Sequence, residues 1–339
     1  MDQLLEIAVF AGKIILIVVG VAAIAGIIAS QAMRFRTDNR LIVEHLNKKY
    51  DAFANALRSY MLDKKTFKGL TKKQKKSSKS KKKEPKNRRN IFVVDFHGDI
   101  KASAVDYLRD EITAVLSVAE KGDEVVVRLE SPGGMVHSYG LAASQLARIK
   151  EHKLHLTVCV DKVAASGGYM MACTGNKIIA APFAVLGSIG VLAQVPNFHK
   201  LLKKHDVDYE EFTAGEYKRT LTLLGEITDK KKEKFVSQIE DTHTLFKDFV
   251  STHRPQLDMA TVATGEHWYG TRAKGLGLLD EIMTSDEYLF SHKDTADIYA
   301  LKMEHKKKAV EKISEAFSKA ISEGVEKAID SARGWKIFS

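Results

Sequence analysis

The sequence predicts an α/β domain over residues 91–300, carried behind an N-terminal transmembrane helix. Two observations predict the domain. Strand-like runs at Ile91–Phe96, Glu124–Leu129 and Leu154–Val160 are rich in Val, Ile and Leu, and helical patterns at Val105–Ala119 and Val136–Ile149 separate them. Such alternation calls for a sheet covered by helices. A third observation predicts the anchor. Ile7 to Ile28 is an apolar run of 22 residues broken only by Lys13, and about 20 residues cross a bilayer.

A cleavable signal peptide is the alternative for that run, and Ala23-Ile24-Ala25 resembles a cleavage site. Asp2 and Glu6 stand where a basic leader would be, and the apolar run continues past the site. A retained anchor over residues 1–33 is the expectation. Next, residues 34–63 read as a juxtamembrane amphipathic helix, because Ile42, Leu46, Tyr50, Phe53, Leu57 and Met61 recur at helical spacing. Such a stripe fits a membrane surface or a neighbouring subunit.

Charge is concentrated in one place. Lys64 to Arg89 holds 14 Lys or Arg and one acid, Glu84, for a net +13. The whole chain carries +10, so everything else sums to −3. Residues 64–90 are expected to be a disordered basic linker. It serves either as a solvated spacer or as a patch attracted to anionic lipid. Nucleic acid is not expected as a partner, since Phe67 is the only aromatic residue in the run. At the other end, residues 301–339 carry a second helical stripe: Val310, Ile313, Phe317, Ile321, Val325, Ala328 and Ala332. It reads as an oligomer contact, a membrane-surface helix, or simple packing on its own domain.

Within the domain, the candidate nucleophile is Ser166. It sits in Ala164-Ala165-Ser166-Gly167-Gly168-Tyr169, between an apolar strand and an apolar helical run. A hydroxyl at a helix N-terminus faces backbone N–H groups that favour developing negative charge. The same segment also reads as a small-residue turn whose serine only caps a helix. A second strand–glycine–helix unit lies upstream, where Glu124–Glu130 ends in Ser131-Pro132-Gly133-Gly134. Together the two turns can supply an oxyanion hole from the backbone of Gly134 and Gly167.

The SPGG turn, the AASGGYMMA segment, the Gly187-Ser188-Ile189-Gly190 turn and the Ala214-Gly215-Glu216-Tyr217-Lys218 segment occur in one order and spacing. In this the chain resembles the membrane-anchored serine proteases of the signal peptide peptidase A and SohB type, nearest to the SohB branch. The resemblance covers residues 91–287 in detail. It implies the superhelical ββα fold of Clp-type proteases and crotonases, and a Ser–Lys dyad of Ser166 and Lys218 with Ser188 orienting the amine. It also implies assembly into homo-oligomeric rings that complete the site, and substrates that are peptides or membrane-protein fragments.

A serine hydroxyl needs a base to take its proton, and lysine serves only when neutral. Bringing an amine from about 10.4 to near 7 takes about 4 kcal/mol of desolvation. Glu216 lies two residues before Lys218, so in an extended strand both would face one way. The dyad therefore requires Glu216 to turn away.

Other chemistries find little support. No G-x-S-x-G elbow or H-E-x-x-H occurs, and no metal or cofactor is expected. Among the twelve histidines none sits in a persuasive context, and His137, just after SPGG, is the nearest candidate for a serine–histidine pair. A non-proteolytic crotonase-like scaffold binding acyl groups or partner membrane proteins is the alternative function. Ile178–Val195 has 18 residues without charge, but Pro182, Gly187 and Gly190 interrupt it, so buried strands and a turn are expected there rather than a second span.

Expected localisation is a bacterial inner membrane, crossed once. Arg34, Arg36 and Arg40 beside the anchor put the following residues in the cytoplasm, whereas the resemblance puts the protease domain outside it. Cys159 and Cys173 lie in apolar runs and read as buried free thiols.

Overall fold

A computed structural model describes residues 39–81 and 88–305 of the chain. The described residues divide into two units, residues 43–302 and the short flanking segments 39–42 and 303–305. The site lies in the first.

In chain order the strands are β1 (Asn39–His45), β2 (Arg89–His97), β3 (Glu124–Glu130), β4 (His155–Val160), β5 (Val163–Ala165), β6 (Lys177–Ala180), β7 (Val185–Gly187), β8 (His267–Tyr269), β9 (Glu281–Ile282) and β10 (Ala296–His305). The helices are α1 (Leu46–Met61), α2 (Lys64–Lys81), α3 (Val105–Leu116), α4 (Val136–Glu151), α5 (Gly167–Ala172), α6 (His199–Lys204), α7 (Asp229–His253), α8 (Met259–Val262), α9 (Gly270–Gly275) and α10 (Ser285–Ser291).

The main sheet runs β1-β10-β2-β3-β4-β6-β9. From β10 to β9 every neighbouring pair is parallel. Parallel strands covered on both faces read as continuous apolar runs, and Val125, Val126 and Val127 are fully buried. The covering helices bury one stripe each: Leu108, Ile112 and Val115 on α3, and Tyr139, Ala142, Leu146 and Ile149 on α4. The protein is thus mixed α/β with a parallel main sheet. A second small sheet, β5-β7-β8, stands at the site, with β5 and β7 parallel and β8 antiparallel. The uncharged run from Ile178 to Val195 supplies β6, β7 and the loop after them.

Outside residues 91–300 the structure departs from the sequence reading at three points. Ile42 lies in β1, and the amphipathic helix begins only at Leu46. The start is set by Asn47, whose amide donates to the Lys293 and Ala296 carbonyls at 2.7 and 2.9 Å and accepts from the Ile298 N–H at 2.8 Å. Secondly, Lys64–Lys81 is helical where a disordered linker is expected. Lysine is a good helix former, and Asp63 caps the first turn by accepting from the N–H groups of Lys65 and Thr66. Thirdly, residues 301–305 extend β10 instead of opening a helix. The predicted anchor, residues 1–33, and the stripe from Val310 to Ala332 lie outside the described residues. Among the described residues no helix is long and apolar enough to cross a membrane.

Candidate active site

Strand β3 ends in the SPGG turn, and hydrogen bonds lock that turn from below. The Ser131 hydroxyl lies 2.6 Å from the Tyr139 hydroxyl and accepts from the Gly133 N–H at 3.1 Å. Tyr139 in turn donates to the Asp99 carbonyl at 2.8 Å. The Asp99 carboxylate accepts from the N–H groups of Lys101 and Ser103, which holds it below the usual carboxylate range. The turn is further tied by Met135 N–H donating to the Ile100 carbonyl at 2.8 Å. Asp99 and Tyr139 are absent from the sequence reading, and Ser131 enters it only as the first residue of the turn. Tyr139 looks there like one more apolar helix position.

Beside this turn stands Ser166, between β5 and α5. Its backbone has φ 53° and ψ −121°. Positive φ strains a residue with a Cβ, and such strain collects at functional positions. Two contacts hold it there. The Ser166 N–H donates to the Gly187 carbonyl at 2.8 Å, and the Ser166 carbonyl accepts from the Met170 N–H at 3.0 Å, opening α5. Every residue of α5 is buried, so the strained turn opens directly onto a packed helix.

The two turns meet with no spare room. A Cβ on Gly133 would sit 2.7 Å from both the Ala165 carbonyl and the Ser166 Cβ, and 2.8 Å from the Gly167 nitrogen. A Cβ on Gly134 would run into the Ile100 carbonyl, and one on Gly167 into the Tyr139 ring. Only glycine fits at each. Neither the Gly134 N–H nor the Gly167 N–H has an intramolecular acceptor among the described residues.

Ser188 follows β7 and also has positive φ, 53°. Its N–H donates to the Glu266 carbonyl at 2.6 Å, while the Trp268 ring covers Gly187 beneath it. A cleft of about 850 Å³ opens over these elements, lined by Ser166, Ser188, Gly133 and Gly134 together with Ile100, Met135, Val136 and Leu192. The structure therefore brings Ser166, Ser188 and Gly134 to one cleft, whereas Gly167 is not among the residues lining it.

Lys218 is elsewhere. It is exposed, in the irregular stretch between α6 and α7, and lines a separate pocket with Tyr209, Glu211 and Phe212. Glu216 does not share an extended strand with it. Gly215 has φ 95° and its carbonyl accepts from the Lys218 N–H, so the chain turns. The Glu216 carboxylate binds Lys230 at 2.7 Å, which holds it below the usual range. Lys234 lies over the Tyr217 ring at 5.2 Å. His137 is exposed on the first turn of α4 and is not among the residues lining the cleft. Cys159 and Cys173 are buried free thiols whose pKa values burial pushes up.

Comparison with known proteins adds what geometry alone leaves open. The model of the peptidase family S49 N-terminal region matches residues 2–146, and that of peptidase family S49 matches residues 148–299. The chain belongs to peptidase family S49. A protein of Haemophilus influenzae named "Probable protease SohB" is 47% identical over 324 residues, 92% of each chain. Another of that name, from Buchnera aphidicola subsp. Schlechtendalia chinensis, is 56% identical over 205 residues, 60% of this chain and 67% of its own. Among solved structures, a membrane-bound stomatin-specific protease aligns with 60% of this chain and 84% of its own at 15% identity and a TM-score of 0.38, too distant to add to the assignment. This S49 peptidase thus has its SPGG turn in the first matched region and Ser166, Ser188 and Lys218 in the second.

Proposed function

We propose that this S49 peptidase is a membrane-anchored serine endopeptidase that cleaves peptides or membrane-protein fragments through an acyl-enzyme. Ser166 is the nucleophile, Lys218 the base, and Ser188 orients the lysine amine. The N–H groups of Gly134 and Gly167 receive the oxyanion. The observation that carries this reading is Ser166 itself, held at positive φ against Gly133 in the floor of an open cleft. Strain at a residue whose only special asset is a hydroxyl fits a nucleophile better than a cap, and no side-chain capping bond is made.

In chemical terms, the serine oxygen attacks the scissile carbonyl as its proton passes to the neutral lysine. The carbonyl electrons move onto oxygen, where the two free N–H groups stabilise them. Collapse expels the amine, which takes the proton from lysine, and water then repeats the sequence on the ester. The Clp-protease and crotonase superhelix is the finer fold reading. Stacked parallel strands and the small parallel pair β5–β7 support it.

Lys218 lines a separate pocket within one chain, so the base reaches the serine of a neighbouring subunit in a homo-oligomeric ring. The apolar run Ile7–Ile28 supplies the single span in a bacterial inner membrane.

The test is fluorophosphonate labelling and peptide cleavage by the full chain in detergent. Wild type labels, whereas Ser166→Ala and Lys218→Ala do not, with folding of each checked by circular dichroism. Co-assembling the two dead variants restores about a quarter of wild-type cleavage, from random pairing across a heterologous contact. Normal labelling of Lys218→Ala would remove lysine from the mechanism, and no recovery on mixing would place the dyad within one chain.

A further inference from the structure

Helix α1 leaves most of its apolar stripe bare. Leu46 is buried with Ile91, Val93, Tyr288 and Ile298, and Tyr50 packs against that cluster. Beyond them Phe53, Leu57, Tyr60 and Met61 are 60%, 65%, 91% and 79% exposed. Their spacing puts all four on one side of the helix. Single exposed apolar residues need no explanation, but four large ones on one face form a patch.

What borders that patch is unusual in charge. After Leu62 and Asp63 the chain enters α2, whose 18 residues include nine lysines and no acid. Lys64, Lys65, Lys68, Lys72 and Lys73 are exposed. Leu70, on the same helix, is 39% exposed.

We propose that α1 and the first turns of α2 form a docking surface for anionic lipid, lying in the plane of the membrane. Phe53, Leu57, Tyr60 and Met61 enter the boundary between headgroups and acyl chains, while the α2 lysines meet the headgroup charges. The contact is additional to the single span and does not depend on the dyad. Charge complementarity selects this occupant. A second copy bound face to face would set Lys64, Lys65, Lys68, Lys72 and Lys73 against their own counterparts. A nucleic acid would engage the lysines and leave the apolar face uncovered.

The experiment uses the full chain carrying Phe53→Cys, labelled with an environment-sensitive thiol dye. The native cysteines are buried, so the dye reports position 53. The protein is reconstituted into phosphatidylcholine vesicles with and without 30% phosphatidylglycerol, each with and without a lipid-borne quencher. With phosphatidylglycerol the emission moves to the blue and the quencher lowers it at least about twofold. Replacing Lys64, Lys65, Lys68, Lys72 and Lys73 by Gln removes that response, at roughly fivefold weaker association per charge. A blue shift that the lipid quencher leaves untouched means that protein covers the stripe, and overturns the proposal. So does an emission indifferent to phosphatidylglycerol, or a larger response to an oligonucleotide duplex than to anionic vesicles.

Discussion

The turns around Ser166 and the stretch around Lys218 belong to one compact unit, yet they are built in opposite ways. At the first, Gly133, Gly134 and Gly167 are each in contact that excludes a methyl group, and Ser131, Tyr139 and Asp99 tie the turn from beneath. At the second, Gly215 has positive φ but nothing within 4 Å of an added Cβ. Around it the fixed points are surface pairs, Glu216 with Lys230 and Arg219 with Glu211. Enzymes gain most from groups held ready where charge develops, because no reorganisation is then needed during the reaction. If Ser166 is the nucleophile proposed above, its half of the site is prearranged in this sense. On the proposed dyad, the base half has its chemistry in the sequence and takes its packing from a neighbouring subunit.

The sharpest way to break that contrast is a matched pair of substitutions at two positive-φ glycines. Gly133→Ala should lower kcat by about 10³-fold and destabilise the protein by about 2–4 kcal/mol, from strained φ combined with a backbone clash. Gly215→Ala meets only the φ strain, so about 1 kcal/mol and near-normal folding are expected. Chemical denaturation and steady-state kinetics on both variants check this, and equal costs would dissolve the contrast. A smaller effect is expected for Tyr139→Phe. It keeps the ring against Gly167 and loses the hydroxyl between Ser131 and the Asp99 carbonyl, costing about 1–2 kcal/mol. If the turn matters to the oxyanion, kcat falls while KM stays, and a fall in KM alone would deny it that role.

The smallest effect should come from acid. The folded-state pKa of Glu216 is lowered, chiefly by its hydrogen bond to Lys230. Its contribution is therefore full above the unfolded carboxylate value, and it fades as pH falls through the lower folded value. Proteolytic nicking near Gly215 should rise below about pH 4, while the turns around Ser166 stay uncut. Lys230→Gln should show the faster nicking already at neutral pH. No difference between that variant and wild type would mean the pair does not order the segment.

Much of this arrangement is legible in the residues. Val125 to Val127 and the stripes of α3 and α4 announce a covered parallel sheet through their period alone. The glycine pairs announce close backbone approach, because few other roles require two in succession. Other parts leave no such trace. Strands of three residues, as in β5, β7 and β8, are too short to show a period, so the second sheet is invisible in advance. Tyr139 is spaced like core and differs from core only through a hydroxyl whose partners lie 8 and 40 residues away. The α2 helix is hidden for a different reason. Composition weighs lysine repulsion heavily, whereas local propensity and the Asp63 cap decide the backbone. Lys218 is recognisable from its motif, but the motif does not foretell the exposed, irregular stretch that holds it.

The pairing of β10 with β2 bears on the order in which this protein can be made. Residues 296–301 lie beside residues 89–94 in the sheet, so β2, which leads to Asp99 beneath the SPGG turn, waits for nearly the last part of the domain. A nascent chain that has emerged only as far as Thr295 leaves one edge of β2 open, and it lacks the carbonyl of Ala296 and the N–H of Ile298 that Asn47 requires. Contacts so distant in sequence form late and slowly. A ribosome still translating this message would therefore carry an unfinished peptidase, whose cleft is completed only once β10 has paired with β2.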